Sequence, residues 1–180
     1  NLGGIANLTL LPPGRGPERS RPVLGWDCGP ANTLLDLAMR RFSGGRLGFD
    51  ADGAWARQGR CDEELLQRWL REDYFQQAPP KSTGRELFGQ SDLERRLAEW
   101  GELETLEEVS AAEAPTRRQA DALATLTGFT AAVVAQDLGR GTKPLELLVA
   151  GGGARNPLLM EELRRRCRGV RVRRLGELGI

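Results

Sequence analysis

The 180-residue chain contains no histidine. That absence removes Ser-His-Asp and Cys-His nucleophile chemistry, and the commonest zinc sites, in one step. Cysteine is scarce as well. Cys28, Cys61 and Cys167 are odd in number and far apart, with no CxxC pair, which fits a reducing cytoplasm better than a disulfide scaffold. No apolar run approaches the roughly 18 residues of a membrane span, and the opening residues carry no signal-peptide pattern. Charge of one sign is missing too: 26 basic and 25 acidic residues leave a net +1, so no global electrostatic case exists for nucleic acid or membrane partners. Any chemistry must use carboxylates, Lys and Arg, hydroxyls and backbone amides.

With 39% hydrophobic residues the chain can bury a core, as one domain or at most two. NLGGIANLTLLP and PVLGWDCG read as two strands joined by the polar loop PGRGPERSR. The second strand is expected to end on Asp27, with Cys28-Gly29-Pro30 as a turn. A helix follows from about Asn32 to Phe42, with Asn32 as N-cap, Asp36 as an acid of its first turns, and Leu34, Leu35, Ala38, Met39 and Phe42 as its apolar stripe. CDEELLQRWLREDYF holds a second helix, buried through Leu65, Leu66, Trp69 and Leu70, until Pro79-Pro80 breaks it. SDLERRLAEWG predicts a third, with a Ser91/Glu94 capping box and Gly101 as its stop.

From Pro115, placed in a first helical turn, a long helix rich in small residues runs to about Leu138. LELLVA predicts a short strand buried on both faces. GGGARN then turns into a helix from Pro157 to about Cys167, and VRVRRL returns as a last strand. The order predicts an α/β domain with one mixed sheet, its hairpin first and its parallel crossover last. The chain opens without Met and stops just after that strand, so it reads as part of something longer.

Two glycine runs, Gly3-Gly4 and Gly151-Gly152-Gly153, cost together roughly 2.5 to 5 kcal/mol relative to alanine unless a turn or a ligand requires them. The second run precedes Asn156 and Pro157 at a helix start, and is expected to expose backbone N–H groups to a nucleotide's polar or phosphate groups; a tight turn without a ligand explains it equally. It matches neither GxGxxG nor a Walker A loop. Asp27 reads either as a turn-former or as the best general-base candidate in a chain without histidine. PPKSTGRE gathers Lys81, Ser82, Thr83 and Arg85, for an anionic or hydroxylated ligand or for solvent. The seven arginines from Arg164 to Arg174 form either a nucleic-acid patch or a helix and strand face exposed by truncation.

Taken together, NLGGIANLT, WDCGPANTLLD, DADGAWARQG, APPKSTGRELF, DALATLTGFTA and LLVAGGGARNPLLM resemble, in order and over nearly the whole chain, the anhydro-N-acetylmuramic acid kinases. These are bacterial enzymes of cell-wall recycling in the actin/hexokinase/Hsp70-like superfamily. The resemblance implies the C-terminal half of an actin-like (ribonuclease H-like) ATPase fold, with residues 1–180 as one ATPase/kinase domain. An N-terminal domain and a final helix are then absent, and the piece alone is expected to be inactive. As cofactors it implies ATP and Mg2+, with no residue here assigned as a metal ligand. Gly3, Gly4 and Asn7 fall on a phosphate loop, and Gly151, Gly152, Gly153 and Asn156 on an adenosine turn. Asp27 falls on the carboxylate that activates water, and Gly29, Asn32, Lys81 and Arg85 stand as candidate substrate contacts.

In the implied reaction, water attacks the anomeric carbon of the amino sugar as the 1,6-anhydro bridge oxygen leaves toward the γ-phosphate. The product is N-acetylmuramic acid 6-phosphate. The implied partners are that sugar and ATP, with no nucleic acid or membrane, in the cytoplasm, and with a homodimer as one option. Two positions depart from the family's Asp-Thr-Gly-Pro-Gly-Asn pattern: Cys28 replaces a hydroxyl, and Ala31 restricts φ to negative values. These changes keep open an actin-like ATP-binding sensor without kinase activity.

Overall fold

The centre of the molecule is a helix wrapped almost entirely by protein. In the computed structural model, which describes residues 1–14, 21–100, 114–140 and 144–179, α5 spans Arg117–Leu138 and buries residues all round its circumference, from Ala122 to Val134 without a break. Its small residues admit close neighbours on every side, as a helix without a polar face requires. Thr116 and Gln119 close it with a reciprocal capping box. Pro115 therefore lies before the cap and not in the first turn.

Around α5 the chain forms β1 (Ile5–Leu10), β2 (Leu24–Pro30), α1 (Asn32–Phe42), α2 (Glu63–Trp69), α3 (Asp73–Gln76) and α4 (Gln90–Ala98) before it, and β3 (Glu146–Val149), α6 (Pro157–Arg166) and β4 (Arg171–Arg174) after it. The hairpin and the crossover are both present: β1 pairs antiparallel with β2, and β3 pairs parallel with β4 across α6. Among the described residues they form two separate two-stranded sheets, not one mixed sheet. The chain bends at Gly3-Gly4 before β1 begins, and the Leu2 N–H donates to Ala150 O, just past β3, at 2.7 Å.

Several local expectations change. β2 does not end on Asp27 but runs through Cys28 and Gly29 to Pro30, because Gly29 pairs with Ala6 and Pro30 with Ile5. Pro30 sits at the strand end, where a missing N–H is tolerated. α1 starts at Asn32 with Ala31 in the cap position and no side-chain cap. The second helix breaks after Trp69 into α2, capped by the Asp62 side chain on Leu65 N, and the single turn of α3. Ser91 and Glu94 form no capping box: Gly89 precedes α4, and Gln90 Nε2 takes the Glu94 carboxylate at 2.8 Å. β3 buries Leu147 and Val149 but exposes Glu146 and Leu148, so it is covered on one face only. Gly101 and most of the PGRGPERSR loop lie outside the described residues.

The apolar stripes of α1 and α2 are buried as their spacing predicts. Trp69, Phe75 and Phe129 stack edge to face with ring centroids 5.2 Å apart. The fully buried Arg96 guanidinium lies over Trp69 and Phe129 and is balanced by Asp92 and Glu72. Three members of the arginine run are paired as well: Arg165 and Arg166 with Glu63 and Glu162, and Arg173 with Glu146.

Candidate active site

Leu2 is the point where the two glycine runs meet. Its carbonyl accepts from Gly153 N at 2.9 Å and from Asn32 Nδ2 at 3.1 Å. Asn32 therefore spends its side chain on joining the start of α1 to the turn before α6, which is why it does not cap its own helix. The carbonyls of Gly3 and Gly4 accept from Asn32 N, Ala31 N and Thr33 N at 3.0 to 3.1 Å. The first glycine run thus caps α1 with its own oxygens.

At α6 the cap is the expected one: Asn156 Oδ1 accepts from Leu158 N and Leu159 N at 3.0 and 3.2 Å. This satisfies N–H groups expected to be exposed there, so the free surface of the turn is the glycine backbone itself. Gly151 is required by the protein: its φ is +90°, and a Cβ would lie 2.2 Å from Asn1 Oδ1. Gly152 differs, because a Cβ there would meet only Asn32 Nδ2 at 3.5 Å, and the residue is exposed. Beside it opens a cleft of about 400 Å³ whose lining includes Asn32, Asp36, Phe49, Asp50, Arg155 and Asn156.

Four of those six are not among the candidates from sequence. Asp36 passes for a helix acid, yet it is half-buried at the cleft, where burial raises its carboxyl above the usual range against the pull of Arg40 and Arg85. Asp50 is also raised by burial, although Trp55 N and Ala56 N donate to it. Phe49 leaves 64% of its surface exposed, an apolar face open to a flat ligand. The one visible signal for this loop is DADGAWARQG, where Asp52 takes the left-handed conformation at φ 55°.

Asp27 sits inside β2, directly across from Asn7 on β1, so the two side chains share a sheet face. Its Oδ2 accepts from Ser82 Oγ and Thr83 N, each at 3.0 Å. The backbone N–H of Asp27 donates to Lys81 O at 3.0 Å, and its carbonyl accepts from the Tyr74 hydroxyl at 2.8 Å. Arg85, from the same loop, lies on the Gly4 side: its guanidinium is 3.8 Å from where a Gly4 Cβ would stand. Gly4, Arg85, Asp36, Asn32, Gly152 and Asn156 are thereby brought into one neighbourhood.

Lys81 and Gly29 are used otherwise. The Lys81 ammonium pairs with Asp137 at 3.2 Å, with side chains only 3% and 1% exposed, so it faces the interior. Gly29 has φ +153°, and a Cβ would come within 2.7 Å of Phe75 Cε1; ring packing alone requires glycine there. The two departures from the family pattern also find their places. Ala31 keeps a negative φ of −126°, and Cys28 is buried. Burial, reinforced by Asp137, pushes the Cys28 thiol well up, and burial pushes Cys61 up to about 12, so neither is poised as a thiolate.

Among the described residues no group of three acidic or sulfur ligands could hold a metal ion, and no helix is long and apolar enough to cross a membrane. The fold and its groups define a mixed α/β domain with a cleft beside Gly152, between two helix starts and lined by Asp36 and Asp50, and with the Asp27 carboxylate held on β2. Comparison with known proteins names the family. The family model described as anhydro-N-acetylmuramic acid kinase matches residues 1–180, and the chain belongs to that family. It is 62% identical to the anhydro-N-acetylmuramic acid kinase of Parasynechococcus marenigrum strain WH8102, over all of this chain and 45% of the relative. It is 60% identical to that of Synechococcus sp. strain WH7803, over all of this chain and 44% of the relative. With that of Prochlorococcus marinus strain MIT 9303 it shares 55%, again over the whole chain and 45% of the relative. The chain thus spans less than half the length of these curated relatives.

Proposed function

We propose that this chain is the C-terminal ATPase domain, of actin-like fold, of a cytoplasmic kinase that opens the 1,6-anhydro bridge of anhydro-N-acetylmuramic acid and phosphorylates the sugar. One observation carries the reading: similarity to kinases of that name, at 62% and 60% identity, covers the full length of the chain. In this reading ATP supplies the phosphoryl group, with its adenosine on the Gly151–Gly153 turn and its phosphates toward Gly3, Gly4 and Asn7. Mg2+ would be held chiefly by the phosphate oxygens of ATP and by water, and would neutralise charge on the transferred group.

Asp27 is the base. It takes a proton from water as the water oxygen bonds to the anomeric carbon; the bridge oxygen leaves that carbon to bond the γ-phosphorus, whose bond to the β-phosphate oxygen breaks and releases ADP. Base assistance supplies about 10²- to 10⁴-fold, so positioning must supply much of the rest. Arg85, exposed beside Gly4, is suited to the negative charge gathered there. Gly29, Asn32 and Lys81 serve this site through packing and hydrogen bonds within the protein.

The nucleotide's place is tested by titrating ATP into the complete protein and its Gly152→Ala variant. The fold has room for the added methyl group, so the melting temperature is expected to hold while ATP binds about tenfold more weakly, ~1.4 kcal/mol. Unchanged affinity would move the nucleotide off this turn.

A further inference from the structure

Asp27 is gripped from one side by a single segment, and that segment is tied into the core next to Asp27 itself. Lys81, Ser82 and Thr83 contribute three consecutive contacts: Lys81 O to the Asp27 N–H, then Ser82 Oγ and Thr83 N to Oδ2, all at 3.0 Å. Among the described residues Oδ1 receives no hydrogen bond. A carboxylate with one oxygen doubly bonded and the other bare has a fixed plane and one available set of lone pairs.

The segment's anchor lies directly beneath. Lys81 Nζ is buried against Asp137 Oδ1 at 3.2 Å and stands 4.8 Å from the Tyr74 ring centroid. Asp137 Oδ2 accepts from Trp26 Nε1 at 3.1 Å. Trp26 precedes Asp27 in β2, so one buried carboxylate on α5 holds both the strand that carries Asp27 and the segment that grips it. Tyr74 closes the frame through its hydroxyl on the Asp27 carbonyl.

We propose that Ser82 is a positioning residue for Asp27. With Thr83 N it pins Oδ2, selects Oδ1 as the oxygen that takes the proton, and depends on the Lys81–Asp137 pair to hold it in register. This rests on the reading of Asp27 as the base. Thr83 contributes through its backbone N–H, which only proline would remove, whereas the exposed Ser82 hydroxyl can be removed without disturbing the core.

The test is steady-state kinetics on the complete enzyme with ATP and anhydro-N-acetylmuramic acid, for Ser82→Ala, Ser82→Thr and Asp27→Asn in parallel. Loosening the carboxylate plane is a misplacement of the reacting atom, so Ser82→Ala is expected to lower kcat roughly ten- to a hundredfold with both KM values nearly unchanged. Ser82→Thr restores the hydroxyl and is expected to recover most of the rate, with melting temperatures equal throughout. A Ser82→Ala enzyme with normal kcat beside an inactive Asp27→Asn enzyme overturns the positioning role alone. Loss in KM instead of kcat overturns it too, because Ser82 would then be holding a substrate. If Asp27→Asn itself stays active, the base reading falls and the positioning role falls with it.

Discussion

Asp27→Asn in the complete enzyme is expected to lower kcat by about 10²- to 10⁴-fold while ATP affinity stays nearly constant. The substitution keeps the size and plane of the side chain. Its carboxamide oxygen can take the place of Oδ2 and still accept from Ser82 Oγ and Thr83 N. The NH2 group then occupies the position of Oδ1, where a proton acceptor is needed, and it has no lone pair to offer. The geometry survives and the base is lost. ATP binding is spared because the nucleotide is assigned to the glycine turns, and the variant keeps the shape of the side chain opposite Asn7. Rates from single-turnover and steady-state experiments, with ATP affinity measured separately, check this. A variant within a few-fold of the parent rate would remove Asp27 from the mechanism.

Asp137→Ala carries the largest expected cost in stability, about 3 to 5 kcal/mol, because it leaves the Lys81 ammonium buried without its counter-charge. The pair's side chains are almost fully enclosed. The same change strips Trp26 Nε1 of its acceptor. Replacing both members, Lys81→Met with Asp137→Leu, removes the charges together and is expected to recover much of the loss, as buried pairs exchanged for apolar groups commonly do. Urea unfolding of the two variants checks the order. An Asp137→Ala loss below about 1 kcal/mol, the scale of an exposed pair, would mean that solvent reaches Lys81.

Lys81 also marks how far local sequence can be read. A lysine between Pro80 and Ser82 in a Pro/Gly-rich stretch has every local sign of a solvated loop, and its burial is decided by an aspartate 56 positions later. No periodicity reveals a pairing of that kind. What periodicity does reveal held well: the stripe of α1 and the buried face of α2 follow from spacings of three and four residues, and the β3–α6–β4 crossover from the order of its elements. The Asn156 cap followed from its place before Pro157.

The errors concentrate where a local signal met a stronger partner. Cys28-Gly29-Pro30 has turn chemistry, but its pairing with Ile5 and Ala6 keeps it in the strand, and the Phe75 ring explains the glycine. Asn32 has cap chemistry, but the Leu2 carbonyl takes its side chain. Ser91 and Glu94 have the spacing of a capping box, but Gln90 holds the glutamate. At the cleft, Phe49 and Asp50 belong to a loop without regular pattern, and only the fold brings them to Gly152 and Asn156.

The most direct measurement of the central claim is ADP release by the complete protein with and without anhydro-N-acetylmuramic acid. The expected result is release that requires the sugar, with one ADP formed for each N-acetylmuramic acid 6-phosphate. ATP turnover at the same rate in the absence of the sugar would contradict it.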